Sequence, residues 1–223
     1  VGQRALANNS VAYKGKISME TFMREWLSLV ESKSGERGIF NRESARQQAG
    51  RNERRDTNHA FGCNPCSEII LRPYQFCNLT EVVVRATDTI EDLERKVRCA
   101  TILGTIQSTY TKFPYLRKVW TTNTEEERLL GVSLTGIMDN PLMTHKNKSL
   151  GDTLEHLKKV AVDTNKGIAD SIGIPASAAN SSRLLNAETF GAPEKKLLLS
   201  SLDSLDLKFK SGRHIIFLKT SNS

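Results

Sequence analysis

Apolar residues recur at helical spacing in ISMETFMREWLSLVESKSG (17–35), where Phe22, Met23, Trp26, Leu27 and Val30 fall on one face. Ser18 is placed to cap this helix and Gly35 to stop it. FNRESARQQAGRNERR (40–55) reads as a second helix, capped by Asn41, strongly charged and exposed. SEIILR and NLTEVVVRA carry β-branched clusters and predict short strands. Asp88 and Glu91 have capping-box spacing ahead of a long helix over 89–112. Its core stripe is Leu93, Val97, Ala100, Gly104 and Ile106, and Pro114 ends it. TNTEEERLLGVSLTGIMDNP starts with a capped turn at Thr124 and runs into an apolar, glycine-punctuated stretch, either a buried strand or a tight turn. In the helix over 151–173, Leu154, Leu157, Val160, Ala161, Thr164, Ile168 and Ile172 line one face. From about Asn180 the chain turns rich in Ser and Leu and loses periodicity. Mixed strands and helices without an internal repeat predict an α/β architecture.

Composition adds bounds. The chain has 223 residues with 38% hydrophobic content, enough for one sizeable core or part of a larger one. A net charge of +7 favours anionic partners. The excess is spread along the chain, and its one cluster, RQQAGRNERR (46–55), reads as a solvated basic face. Four cysteines do not make a disulfide scaffold. No apolar run reaches the ~18 residues of a membrane span, and a reducing cytoplasm is the expected compartment. The first residue is Val, which reads as a piece of a longer protein.

Three of the four cysteines lie in GCNPCSEIILRPYQFCN (62–78). Pro65 and Pro73 exclude a regular helix there. His59, Cys63, Cys66 and Cys77 are one candidate set of soft ligands for zinc. The other candidate is reaction chemistry. Pro65 pushes Asn64 toward extended geometry, and an extended run puts Asn64, Cys66 and Glu68 on one face. A thiol beside a carboxylate makes a poor thiolate, because the negative charge raises its pKa. The arrangement suits a sulfur radical, with the carboxylate as general base and the amide as hydrogen-bond donor. Cys77 on a neighbouring strand is placed for thiol–disulfide exchange. Cys63 falls on the opposite face, and Cys99 reads as helix packing.

NPCSE followed by FCNLTE resembles the active-site finger loop of ribonucleotide reductases, above all the class II, adenosylcobalamin-dependent enzymes. ESKSGERGIFNR (31–42), LLGVSLTGIMD (129–139) and RALANNS (4–10) are similar to further segments of that family, in the right order. The resemblance spans residues 1–179, with the finger loop at about 60–80. It implies a ten-stranded α/β barrel of two five-stranded halves, incomplete in this chain. It implies that Cys66 becomes the thiyl radical that abstracts the ribose 3′-hydrogen. Glu68 takes the 3′-hydroxyl proton, Asn64 hydrogen-bonds the sugar, and Cys77 is one of two thiols that end as a disulfide. It also implies a nucleotide effector and a thioredoxin-like dithiol reductant as partners, with no nucleic acid and no membrane. FCNLTEVV looks more like the triphosphate reductases than the dimeric forms. The thiol partner of Cys77, the substrate-phosphate loop and a C-terminal cysteine pair have no counterpart in this sequence. Residues 180–223 read as foreign to the family, and the chain by itself as inactive. The alternative reading is a small basic zinc-binding module that contacts nucleic acid.

Overall fold

The computed structural model describes residues 9–33, 38–50, 55–65, 69–144 and 148–178. The order begins β1 (Ser10–Tyr13), α1 (Met19–Ser32), β2 (Gly38–Asn41), α2 (Arg42–Gly50), β3 (Gly62–Cys63), β4 (Ile70–Leu71) and β5 (Asn78–Val83). It continues with α3 (Ile90–Gln107), α4 (Lys118–Glu127), β6 (Leu130–Thr135), α5 (Pro141–Thr144) and α6 (Lys148–Ile172). The strands pair two by two. β1 and β2 are parallel, with Ser10 opposite Gly38; β3 and β4 are antiparallel; β5 and β6 are parallel, with Asn78 opposite Leu130. The described residues are thus mixed α/β, as three separate two-stranded sheets. No helix among them is long and apolar enough to cross a membrane.

The main core forms where α3 and α6 cover one face of β5–β6. Val82 and Val84 alternate inward from β5 and meet Leu93, Val97 and Ala100 of α3 and Leu157 and Val160 of α6. On the other face Leu79 and Val83 are exposed. Gly104 lets α3 approach the strands, since a Cβ there would meet Leu130 Cδ1 at 2.3 Å. A second, smaller core gathers Phe40, Ala45, Ala49, Phe61 and Ile70.

Several expectations shift. The α3 cap is Thr89, whose hydroxyl accepts from Asp92 N–H while Asp92 accepts from Thr89 N–H. The box therefore sits one residue later than Asp88 and Glu91. Asp88 instead accepts from Arg85 N–H and Lys96 Nζ. α3 ends at Gln107, short of Lys112. Ile106 is 54% exposed, because it lies two residues from Gly104 and so off the core stripe. Thr101 and Thr105 take the buried face, their hydroxyls donating back to the Val97 and Thr101 carbonyls. Thr124 does not open a helix; it is buried near the end of α4 and donates to Trp120 O. The stretch after it is a strand (β6), half-buried rather than buried, followed by a turn at Gly136 with φ 72.

α1 starts at its Ser18 cap, which accepts from Thr21 N–H. It ends on Lys33 in the left-handed region rather than at Gly35, which lies outside the described residues. None of its residues is buried. α2 is capped by Asn41 Oδ1, with Ala45 and Ala49 buried on one side of it, and residues 51–54 of the expected helix lie outside the described residues. The composition break at residue 180 lies outside the described residues.

Candidate functional site

The segment singled out by its cysteines folds as a hairpin. Gly62 pairs with Leu71 and Cys63 with Ile70. Asn64 N–H donates to Ile69 O at 3.3 Å, and Asn64 Oδ1 accepts from Ile69 N–H at 2.9 Å. The chain therefore reverses between Asn64 and Ile69. Cys66 and Glu68 lie outside the described residues, and with them the shared face expected of Asn64, Cys66 and Glu68. The carboxamide of Asn64 is oriented by the bond to Ile69. Cys63 is half-buried against the smaller core. Cys77 is half-buried at the start of β5, where Asn78 N–H and Nδ2 both donate to Leu129 O. Cys99 is exposed on α3, so it does not serve the packing expected of it.

His59 turns to Asp56, Nε2 to Oδ2 at 3.3 Å, and its ring lies edge-on to Phe61. The Asn58 backbone N–H, with His59 and Arg72 nearby, holds the Asp56 carboxyl below its ordinary range. Among the described residues no three His, Cys, Asp or Glu side chains gather as a metal site.

Beneath the hairpin lies a buried charge cluster that the sequence did not suggest. Arg55 donates to both oxygens of Glu127, Nε to Oε1 at 3.0 Å and Nη2 to Oε2 at 2.9 Å. Arg72 Nη2 reaches Glu127 Oε1 at 2.9 Å, and its Nη1 reaches Glu126. Gln75 Nε2 donates to Glu127 Oε2, while its Oε1 accepts from Arg72 N–H at 2.8 Å. The side chains of Arg55, Arg72 and Glu127 are 4%, 4% and 1% exposed. Arg55 also lies over the Phe61 ring, 5.1 Å from its centroid. The cluster 46–55 was expected to be solvated, and Arg55 departs from that. Inside, a guanidinium requires a partner, and Glu127, at the end of the acidic run TEEE, provides it. Arg72 Nε is buried and has no hydrogen-bond partner among the described residues.

A shallow, open depression lies along α6, lined by Asp152, Glu155, His156, Lys158, Lys159 and Val162. Comparison with protein-family models, with curated proteins and with solved structures gave no match to this chain.

Proposed function

We propose that this chain carries the radical loop of an adenosylcobalamin-dependent ribonucleotide reductase, which converts ribonucleotides, as triphosphates, to 2′-deoxyribonucleotides. The observation that carries the reading is the ordered set of segments, with NPCSE and FCNLTE at its centre. The fold is compatible with it in that Asn64 directly follows β3 and FCN leads into β5. In this reading Cys66, as a thiyl radical, takes the 3′-hydrogen of the ribose. Glu68 accepts the 3′-hydroxyl proton and the 2′-hydroxyl leaves as water. Cys77 and a second thiol supply two electrons and two protons and close to a disulfide, which a dithiol reductant reopens. Cys66 then returns the hydrogen to C3′ and Glu68 the proton to the 3′-oxygen, which regenerates the thiyl radical. Asn64 binds the sugar.

Adenosylcobalamin would supply the radical. The described residues do not locate a site for it. No step is therefore derived through it. The test uses the complete reading frame with ribonucleoside triphosphate, adenosylcobalamin and a dithiol. Cys66→Ser is expected to abolish deoxynucleotide formation while leaving nucleotide binding nearly intact. Normal product from that variant would remove the assignment.

A further inference from the structure

We infer that Glu127 is a positioning residue: through Arg55 and Arg72 it seats both legs of the Gly62–Leu71 hairpin on the end of α4. As a claim about catalysis this rests on reading that hairpin as the radical loop.

The two arginines lie on opposite sides of the reversal. Arg55 leads into β3, and Arg72 directly follows β4. One carboxylate receives both, so the segment that precedes β3 and the residue that follows β4 meet at a single group. The Arg55 contact is a two-bond fork, which fixes direction as well as distance. Arg72 bridges the consecutive carboxylates of Glu126 and Glu127. One turn earlier on α4, Asn123 Nδ2 donates to the carbonyls of Pro73 and Tyr74, at 2.9 and 3.0 Å. Asn123, Glu126 and Glu127 have the spacing of one helix face, and together they grip residues 72–75. Tyr74 sits at φ 60. A non-glycine residue keeps that conformation only where its surroundings hold it. Here the Tyr74 ring lies edge-on to Trp120 at 5.9 Å and beneath Arg117 at 4.1 Å, both from α4 or its cap.

Stability alone does not call for this cluster. Apolar residues of similar volume commonly replace a buried ion network without loss. Direction is what the ionic version adds: each bond has a required angle, and an apolar contact has none.

That contrast is the experiment. The full 223-residue chain is compared with Glu127→Gln, Glu127→Ala and the triple variant Arg55→Met, Arg72→Met, Glu127→Leu. Urea unfolding reports global stability. Amide hydrogen exchange is followed at Ile69, Ile70 and Leu71, with Leu93, Val97 and Ala100 of α3 as reference. Glu127→Gln is expected to speed exchange in the hairpin at least ~10-fold relative to α3, the scale of a lost charge-assisted bond. The triple variant is expected to recover the unfolding midpoint while the hairpin amides stay fast. If it recovers slow exchange as well, the cluster only packs, and the inference fails. It fails too if Glu127→Gln leaves the hairpin amides unchanged, or if the triple variant is less stable than Glu127→Ala. None of these readouts is catalytic. Normal product from Cys66→Ser would leave the seating intact, and failure here would leave the reductase reading standing.

Discussion

Replacing Gly136 by Ala separates two costs that usually arrive together. Gly136 follows β6 at φ 72, and a Cβ there would sit 2.6 Å from the Val84 carbonyl oxygen. That oxygen has little room to retreat. Val84 is 1% exposed, and its N–H donates to Thr135 O at 2.8 Å. The left-handed backbone costs an L-residue about 1–2 kcal/mol. Forcing a methyl against fixed backbone costs about 1–3 kcal/mol more. Loss of unfolded-state freedom returns about 0.4–1 kcal/mol. The net is a destabilisation of about 3 kcal/mol, or a fall in Tm of roughly 6–12 °C for a chain of this size. Gly173 is the internal control. It lies at φ 71 after α6, and nothing is within 4 Å of its Cβ position. Gly173→Ala carries only the backbone part, about 1 kcal/mol after the same offset. Urea and thermal melts of both variants, followed by far-ultraviolet circular dichroism, measure the difference. Equal losses at the two positions would show that the Val84 contact does not constrain the turn.

Asn140 is fully buried, donates to the Arg85 and Asp88 carbonyls, and accepts from Leu142 N–H. Asn140→Ala removes three hydrogen bonds to backbone groups, of which the Arg85 carbonyl keeps its bond from Asp88 N–H, and is expected to cost about 2–4 kcal/mol in urea melts; a loss below about 1 kcal/mol would show that water replaces the amide there. The hydrogen bond from His156 holds the Glu94 carboxyl below its ordinary range, and Lys96, with Arg85 N–H, does the same for Asp88. A depressed carboxylate contributes stability that is present above its unfolded value and lost as pH falls through the folded one. Stability should therefore decline on acidification below roughly pH 4. In an NMR titration His156→Ala should move the Glu94 midpoint upward, and an unmoved midpoint would mean that His156 is not the cause.

What could be read in advance follows from the range of the forces. Leu93, Val97 and Ala100, like Leu157 and Val160, repeat every three or four residues, so α3 and α6 show themselves in any window of that length. The same pattern in α1 predicts a helix correctly and says nothing about cover: Met23, Leu27 and Val30 are exposed. Ile106 looked like core because it is apolar, whereas Thr101 and Thr105 are core because a helix can absorb their hydroxyls on its own carbonyls. The parallel pairing of β5 with β6 depends on contacts across two intervening helices, which no local window contains. Asn64 and Cys77 are proposed as site residues on their motif alone. Arg55, Arg72 and Glu127 were not legible in the sequence, since each taken singly resembles a surface charge and only their convergence makes them otherwise.

That convergence also shapes how the chain can change over generations. Arg55 and Glu127 stand 72 residues apart, yet loss of Glu127 leaves the buried Arg55 guanidinium without a carboxylate. Such a step costs about 3–5 kcal/mol, a large share of what a domain of this size has in hand. A route that alters these positions one at a time therefore passes through a poorly folded ancestor. Descendants are expected either to inherit Arg55, Arg72 and Glu127 as a set or to exchange all three together.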